Sequence, residues 1–202
     1  MELYAAVQPM VLTPEGYEML YGEDDPEEVS LLQLQDKEVA ATISGVLFDL
    51  YGLKTNLADP AEGEGLAGEI GTVEALQELK RLAAESLGKT VDDYQEGRVP
   101  AGYLFNHLIN HADDSGYYLP VDFMQSFIVL DEISIGSAVA LLRELDALQT
   151  VLEATYPDEM EAALAHDDEE ELPEIAGPVG VWAALRLLCR SAIETGMPIH
   201  LG

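Results

Sequence analysis

Apolar positions recur every three or four residues over most of this chain, the period of an amphipathic helix. Val39, Ile43, Val46, Leu47 and Leu50 predict a helix from about Asp36 to Tyr51, ended by Gly52. Leu76, Leu79, Leu82 and Leu87 stripe a second, which Thr72 can cap and Gly88 ends. Ala138, Leu141, Leu142, Leu145, Leu148 and Leu152 share one face of a helix over Ser137 to Leu152, with Arg143, Glu144, Asp146 and Gln149 largely outside that face. Trp182, Leu185, Cys189, Ala192 and Ile193 line a last helix from about Val179 to Thr195, closed by Gly196.

Other stretches break that rhythm. Leu3 to Leu12 is short and apolar with Pro9 inside, which predicts an edge strand or an extended entry. Thr13 and Pro14 suit the cap and first position of a short helix. The acidic stretch Glu23 to Glu28 reads as a turn or a helix start, and Asp59 to Gly71 as a loop. Val99 to Ala112 is expected to be helical with Pro100 at its start, and a short helix to follow Pro157. Tyr117 to Phe123 has strand character but holds Pro120, and Met197 to Leu201 can return as a terminal strand. The expectation is an α+β fold dominated by about five or six helices, with a few short strands at the N-terminus, centre and C-terminus. Residues 1–202 are read as a single globular domain, with 167–177 an acidic mobile loop within it.

Charge changes the picture more than any motif. In 202 residues, 39 acids face nine bases, for a formal net charge of −30. Such a surface repels phosphates and anionic lipid heads, so direct nucleic-acid binding is not expected. The bases are scattered and build no local patch. Two readings remain: solubility or salt adaptation, and a docking surface for a basic protein partner. One cysteine permits no intramolecular disulfide. No run of 18 uncharged apolar residues exists to span a membrane, and the first residues lack the basic and apolar regions of a secretory signal. A reducing cytoplasm is therefore the expected location.

One polar helix face carries the candidate chemistry. On the helix expected around residue 106, Asn106, His107, Asn110 and His111 share an arc with Tyr103, while Leu104, Phe105, Leu108 and Ile109 take the other side. His107 and His111 stand at i, i+4, a spacing that lets two imidazoles meet one metal, and Asp113 or Asp114 could add a carboxylate. The glutamate of a His-Glu-x-x-His motif is missing, and no third ligand is specified. The alternative is that both histidines serve nearby backbone at a helix C-terminus. Arg186 and Arg190, one turn apart, could clamp an anion or pair with local carboxylates. No nucleophile stands out: Cys189 lies on an apolar stripe, where a thiol behaves as a small hydrophobe. No phosphate-binding glycine loop or calcium loop occurs, and no cofactor is implied.

The stretch His111-Ala-Asp113-Asp114-Ser-Gly116-Tyr117-Tyr118-Leu-Pro120-Val-Asp122-Phe123, with Ile135-Gly136-Ser137 and a Leu-rich helix after it, resembles a motif of uncharacterised bacterial proteins. The resemblance covers about the C-terminal half, implies a shared fold and brings no assigned activity. The motif reads as turn chemistry, with Asp114 and Ser115 capping, Gly116 at positive φ and Pro120 fixing an edge. It also reads as a binding face of Asn106, His107, Asn110, His111, Asp113, Asp114, Tyr117, Tyr118 and Asp122. Three functions follow. The first is a non-catalytic acidic protein that engages a basic partner, as immunity proteins and nucleic-acid mimics do. The second is a metal-dependent hydrolase-type enzyme using the Asn/His/Asp helix face, with His107, His111, Asp113 and Asp114. The third is a small-molecule binder with a pocket near Tyr117, Tyr118 and Arg186. The first needs no missing ligand or nucleophile.

Overall fold

A computed structural model describes residues 1–21, 26–59, 63, 65–165 and 171–202. Positions 23–25 of the acidic stretch Glu23 to Glu28, and positions 167–170 of the expected acidic loop, lie outside the described residues. The chain forms two compact units, Met1–Val7 with Gly65–Gly202, and Gln8–Glu64.

The larger unit is a mixed sheet backed by helices. Its strands are β1 (Glu2–Val7), β2 (Ala67–Thr72), β3 (Gly116–Leu119), β4 (Phe127–Val129), β5 (Ile133–Ser137) and β6 (Ile199–Leu201), in the order β2-β1-β6-β3-β5-β4. Among the described strands only β3 and β5 pair in parallel, with Tyr117 opposite Ile135, Tyr118 opposite Gly136 and Leu119 opposite Ser137. The C-terminal strand sits between β1 and β3, so the two ends of the larger unit's sequence meet in its sheet.

The helices of this unit are α3 (Val73–Ser86), α4 (Val91–Gln95), α5 (Asn106–Ile109), α6 (Ala138–Thr155), α7 (Pro157–Ala165) and α8 (Gly177–Thr195). Thr72 caps α3 as expected, its hydroxyl accepting from the amide of Ala75. Every residue of α8 from Val179 to Cys189 is buried, because the helix lies against β1, β2 and β6 and is flanked by α3, α6 and α7. A helix apolar on all sides belongs at the centre of a core. The Trp182 indole N–H donates to Leu145 O at 2.8 Å and ties α8 to α6.

The smaller unit pairs two helices, α1 (Pro14–Tyr21) and α2 (Pro26–Tyr51). Thr13 caps α1 by accepting from the Gly16 amide at 3.3 Å. Ala40, Ile43 and Leu47 form the buried stripe of α2, and Tyr17 of α1 donates its hydroxyl to Asp36.

The helix-dominated α+β class stands, with strands at the N-terminus, centre and C-terminus. Several local expectations give way. The strand over Leu3 to Leu12, expected at an edge, is β1, which pairs on both sides, with β2 and β6. Val99 to Ala112 is mostly turn, and helix forms only over Asn106–Ile109. Phe105 adopts φ 69° and Gly97 and Gly102 also take positive φ, which no continuous helix tolerates. The stretch Asp59 to Gly71 ends not in loop but in β2, and β4 and β5 are strands that the pattern did not announce.

Candidate functional site

The segment singled out by sequence converges where α5, β3, β5 and the start of α6 meet. Its polar side chains turn inward. Asn106, His107 and His111 are all buried. The Ser137 amide donates to Nδ1 of His107 at 3.0 Å, and Nε2 of the same ring lies 3.0 Å from Phe123 O. Since an amide can only donate, Nε2 carries the proton and the imidazole is neutral. Burial holds His107 down at about 4, although the Phe123 carbonyl favours its charged form.

Glu144 supplies the other half of this arrangement. It reaches from α6 to α5, where its carboxylate accepts from the amides of His107 at 3.1 Å and Leu108 at 2.8 Å. A single helical turn has unpaired amides at its start, and Glu144 satisfies them. Burial pushes this carboxyl up to about 8 against the pull of those amides. Asn106 Oδ1 accepts from the Ser126 amide at 3.0 Å and fixes the loop before β4.

His111 stacks on Tyr118 with ring centroids 4.0 Å apart and planes 18° from parallel. Its Nδ1 and Nε2 lie 3.0 Å from Ala112 O and 3.2 Å from Tyr117 O. One of these contacts is an N–H donation; which one depends on the tautomer. Burial lowers His111 too, to about 4. Tyr118 faces Gly136 across the parallel pair, and a Cβ there would fall 2.4 Å from the tyrosine ring. Gly116 takes φ 104°, and a Cβ would meet Ser134 O at 2.2 Å. The glycines of the signature therefore make room for backbone and aromatic rings.

The remaining candidates lie at the rim. Lys80 of α3 is buried and donates to His111 O and to Asp113 Oδ1, each at 2.6 Å. Asp122 forms a two-pronged pair with Arg143 at 2.8 and 2.6 Å. Tyr117 meets His200 edge to face. Asn110 ends α5, and Asp114 is exposed. Among the described residues no three His, Cys, Asp or Glu side chains are placed to hold a metal ion. A cavity of about 430 Å³ opens between Tyr103, His107, Phe123, Met124, Arg143 and Glu144. Its charged and imidazole groups are each engaged by the chain itself, as the bonds above show.

Arg186 does not stand open as half of an anion clamp. It lies over the Trp182 ring, 4.6 Å from its centroid, and its Nε and guanidinium reach Asp146 at 3.0 Å. Arg190 follows one turn later, half-buried. Cys189 is fully buried, and burial raises its thiol well above the ordinary value.

The bases of the larger unit are largely spent on local carboxylates. Arg81 pairs with Glu78 and Glu85, and Arg98 with Asp93 and Glu96. Lys80, Arg143 and Arg186 pair with Asp113, Asp122 and Asp146. Between Arg143 and Arg186 the sequence holds 12 acids and no lysine or arginine. Within that span α7 exposes Asp158, Glu159 and Glu161, while Met160 and Ala163 anchor its inner face.

Sequence reasoning missed Lys80 and Glu144 as buried polar groups. Glu144 was placed largely outside the buried face of its helix, yet it is 5% exposed. Nothing in the local pattern marks it, because its partners lie 36 and 37 positions away.

A family model described as "Putative DNA-mimic protein" matches residues 4–201. No curated protein matches the chain, and no solved structure does.

Proposed function

The chain belongs to the putative DNA-mimic protein family, and we propose on that premise that it binds the DNA-contacting face of a basic protein and excludes DNA from it. The observation that carries this reading is the long base-free stretch between Arg143 and Arg186, in which ten acids remain after the buried Glu144 and the Arg186-paired Asp146 are set aside. Local pairing neutralises much of the positive charge elsewhere, and this stretch has none to neutralise.

The charge density fits the role. Asp158, Glu159 and Glu161 are exposed on α7. Three steps of an α-helix advance about 4.5 Å along its axis. Three carboxylates over that rise approach the spacing of duplex DNA, which carries one charge per about 1.7 Å. A protein that reads phosphates with Lys and Arg meets a comparable field here, and opposite charge speeds the encounter. Unlike DNA, carboxylates fixed on a folded surface offer no base edges, so the contact competes with DNA without being read as sequence.

The test uses the chain as bait in an extract of its own host cell, with elution by duplex DNA. A protein so released is purified and its affinity for the bait measured across salt concentrations. Log affinity should fall linearly with log salt, as for a DNA complex. The variant Asp158→Asn, Glu159→Gln, Glu161→Gln should bind more weakly and with a shallower slope. An affinity indifferent to salt and to these changes contradicts the reading.

A further inference from the structure

The helix α2 has two apolar faces, and only one is used within its unit. The inner stripe buries Ala40, Ile43 and Leu47. The second stripe runs Leu31, Leu34, Glu38, Ala41, Gly45 and Phe48, and all six residues are exposed. Leu31, Leu34 and Phe48 are 55%, 57% and 52% exposed. Their spacing alternates three and four residues, the heptad rhythm of a seam between two helices. A surface helix with one partner needs one stripe, so a second calls for another helix.

We propose that this stripe joins two copies of the chain in a symmetric dimer, through α2 helices packed antiparallel. The stripe is its own complement. A two-fold axis midway between Glu38 and Ala41 sets Leu31 opposite the partner's Phe48, Leu34 opposite the partner's Gly45 and Glu38 opposite the partner's Ala41. At Gly45 the space where a side chain would stand is open, with nothing within 4 Å. Leu34 of the second copy fills it. An isologous contact requires this kind of self-matching from one patch.

Charge also selects a second copy over a basic partner. The chain carries −30 in all, yet the stripe holds one carboxylate, Glu38. The positions flanking it are Ser30, Lys37, Ser44 and Tyr51 on one side and Gln35, Thr42 and Asp49 on the other, so the flanks carry one charge of each sign. A basic protein finds little to pair with here. Two copies of the chain that meet through this stripe bring few charged positions into the contact. The two-fold axis brings the Glu38 carboxylates of both copies to adjacent layers of the seam, a like-charge pair that lowers affinity and that salt screens. The seam spans 17 steps of helix, about 26 Å, so it sits at the small end of specific interfaces, with an expected dissociation constant in the micromolar range.

Sedimentation velocity of the full chain from about 1 to 200 μM, at low salt and at about 0.5 M NaCl, tests the proposal by its concentration and screening dependence. A monomer–dimer equilibrium is expected that tightens with salt, because salt screens repulsion between two −30 chains. Leu34→Glu should leave the circular dichroism spectrum unchanged and give a monomer throughout. For register, chains carrying Leu31→Cys mixed with chains carrying Phe48→Cys should form a disulfide-linked pair under mild oxidation faster than either chain alone. A monomer at every concentration and salt overturns the proposal. So does a dimer unaffected by Leu34→Glu, or one that weakens with added salt. DNA competition by the acidic surface has the opposite salt dependence and does not use this face, so either can fail without the other.

Discussion

The amide of Ser137 donates to Nδ1 of His107 at 3.0 Å, and this bond fixes which nitrogen of a buried histidine carries its proton. Ser137 also begins α6, its hydroxyl accepting from the Ala140 amide at 3.0 Å and donating to Val121 O at 2.7 Å. One residue thus couples the start of a helix to α5 and to the loop after β3. The Gly-Ser pair of the sequence signature has a structural task at both positions.

Removing the ring tests that task. His107→Ala deletes two buried hydrogen bonds and leaves a cavity, so it should cost about 3 kcal/mol in urea unfolding. Titration of zinc, manganese or nickel into the parent should show no one-to-one binding at micromolar affinity. A metal complex abolished by His107→Ala with His111→Ala would instead make these rings ligands.

The stripes of α3 and α6 were legible because one local period decides which side of a long helix is apolar, whereas α8 is buried on all sides from Val179 to Cys189 and leaves Ile193 of its expected stripe exposed. The caps Thr13 and Thr72 and the positive φ of Gly116 follow from equally local chemistry. What could not be read depends on distant partners. The strand β2, Ala67–Thr72, holds two glycines and a single large apolar residue, so it looks like loop until β1 pairs with it. The Asn and His face looked like a surface because nothing near it in sequence hints that Glu144, Ser126 and Phe123 wait on the inside. Phe105 breaks the expected helix by a left-handed backbone that its type does not favour, held by complete burial of its ring.

The glycines of the signature should tolerate no side chain. Gly116→Ala must place a methyl against Ser134 O at a φ of 104°, and Gly136→Ala must displace the Tyr118 ring. Each should destabilise the chain by at least about 2 kcal/mol in chemical denaturation. A fully stable Gly116→Ala variant would show that the β3–β5 register is wrong.

Stability should depend on pH through two opposed sets of groups. His107 and His111 lie near 4 when folded, below their ordinary 6.5. The unfolded chain takes up those protons first, so their contribution is present above pH 6.5 and is lost as pH falls toward 4. Glu144 is raised from 4.5 to about 8, so its contribution is complete below pH 4.5 and is lost as pH rises through 8. Between pH 6.5 and 8 the parent should lose stability, and Glu144→Gln should flatten that decline. The variant should still be weaker at pH 6, because its amide satisfies one backbone N–H where the carboxyl group meets two. Parallel curves for the two proteins would refute the assignment.

Screening supplies a further check. With a net charge of −30, thermal stability should rise between low salt and about 0.5 M as repulsion between unpaired acids is damped. Cys189, fully buried on α8, should react with a thiol reagent only as fast as the chain opens. Rapid labelling without denaturant would contradict the placement of α8 at the centre of the core.

On the function we propose, the acidic surface takes the place of DNA on a basic protein. Fluorescence anisotropy of a labelled DNA duplex, saturated with the DNA-binding protein recovered by the bait experiment, measures this directly. Adding the chain should return the anisotropy to that of free duplex, with one chain excluding one duplex and no species holding both. The variant Asp158→Asn, Glu159→Gln, Glu161→Gln should need a higher concentration to do so. An anisotropy that stays high or climbs further, as a ternary complex of duplex, DNA-binding protein and chain would make it, contradicts the account.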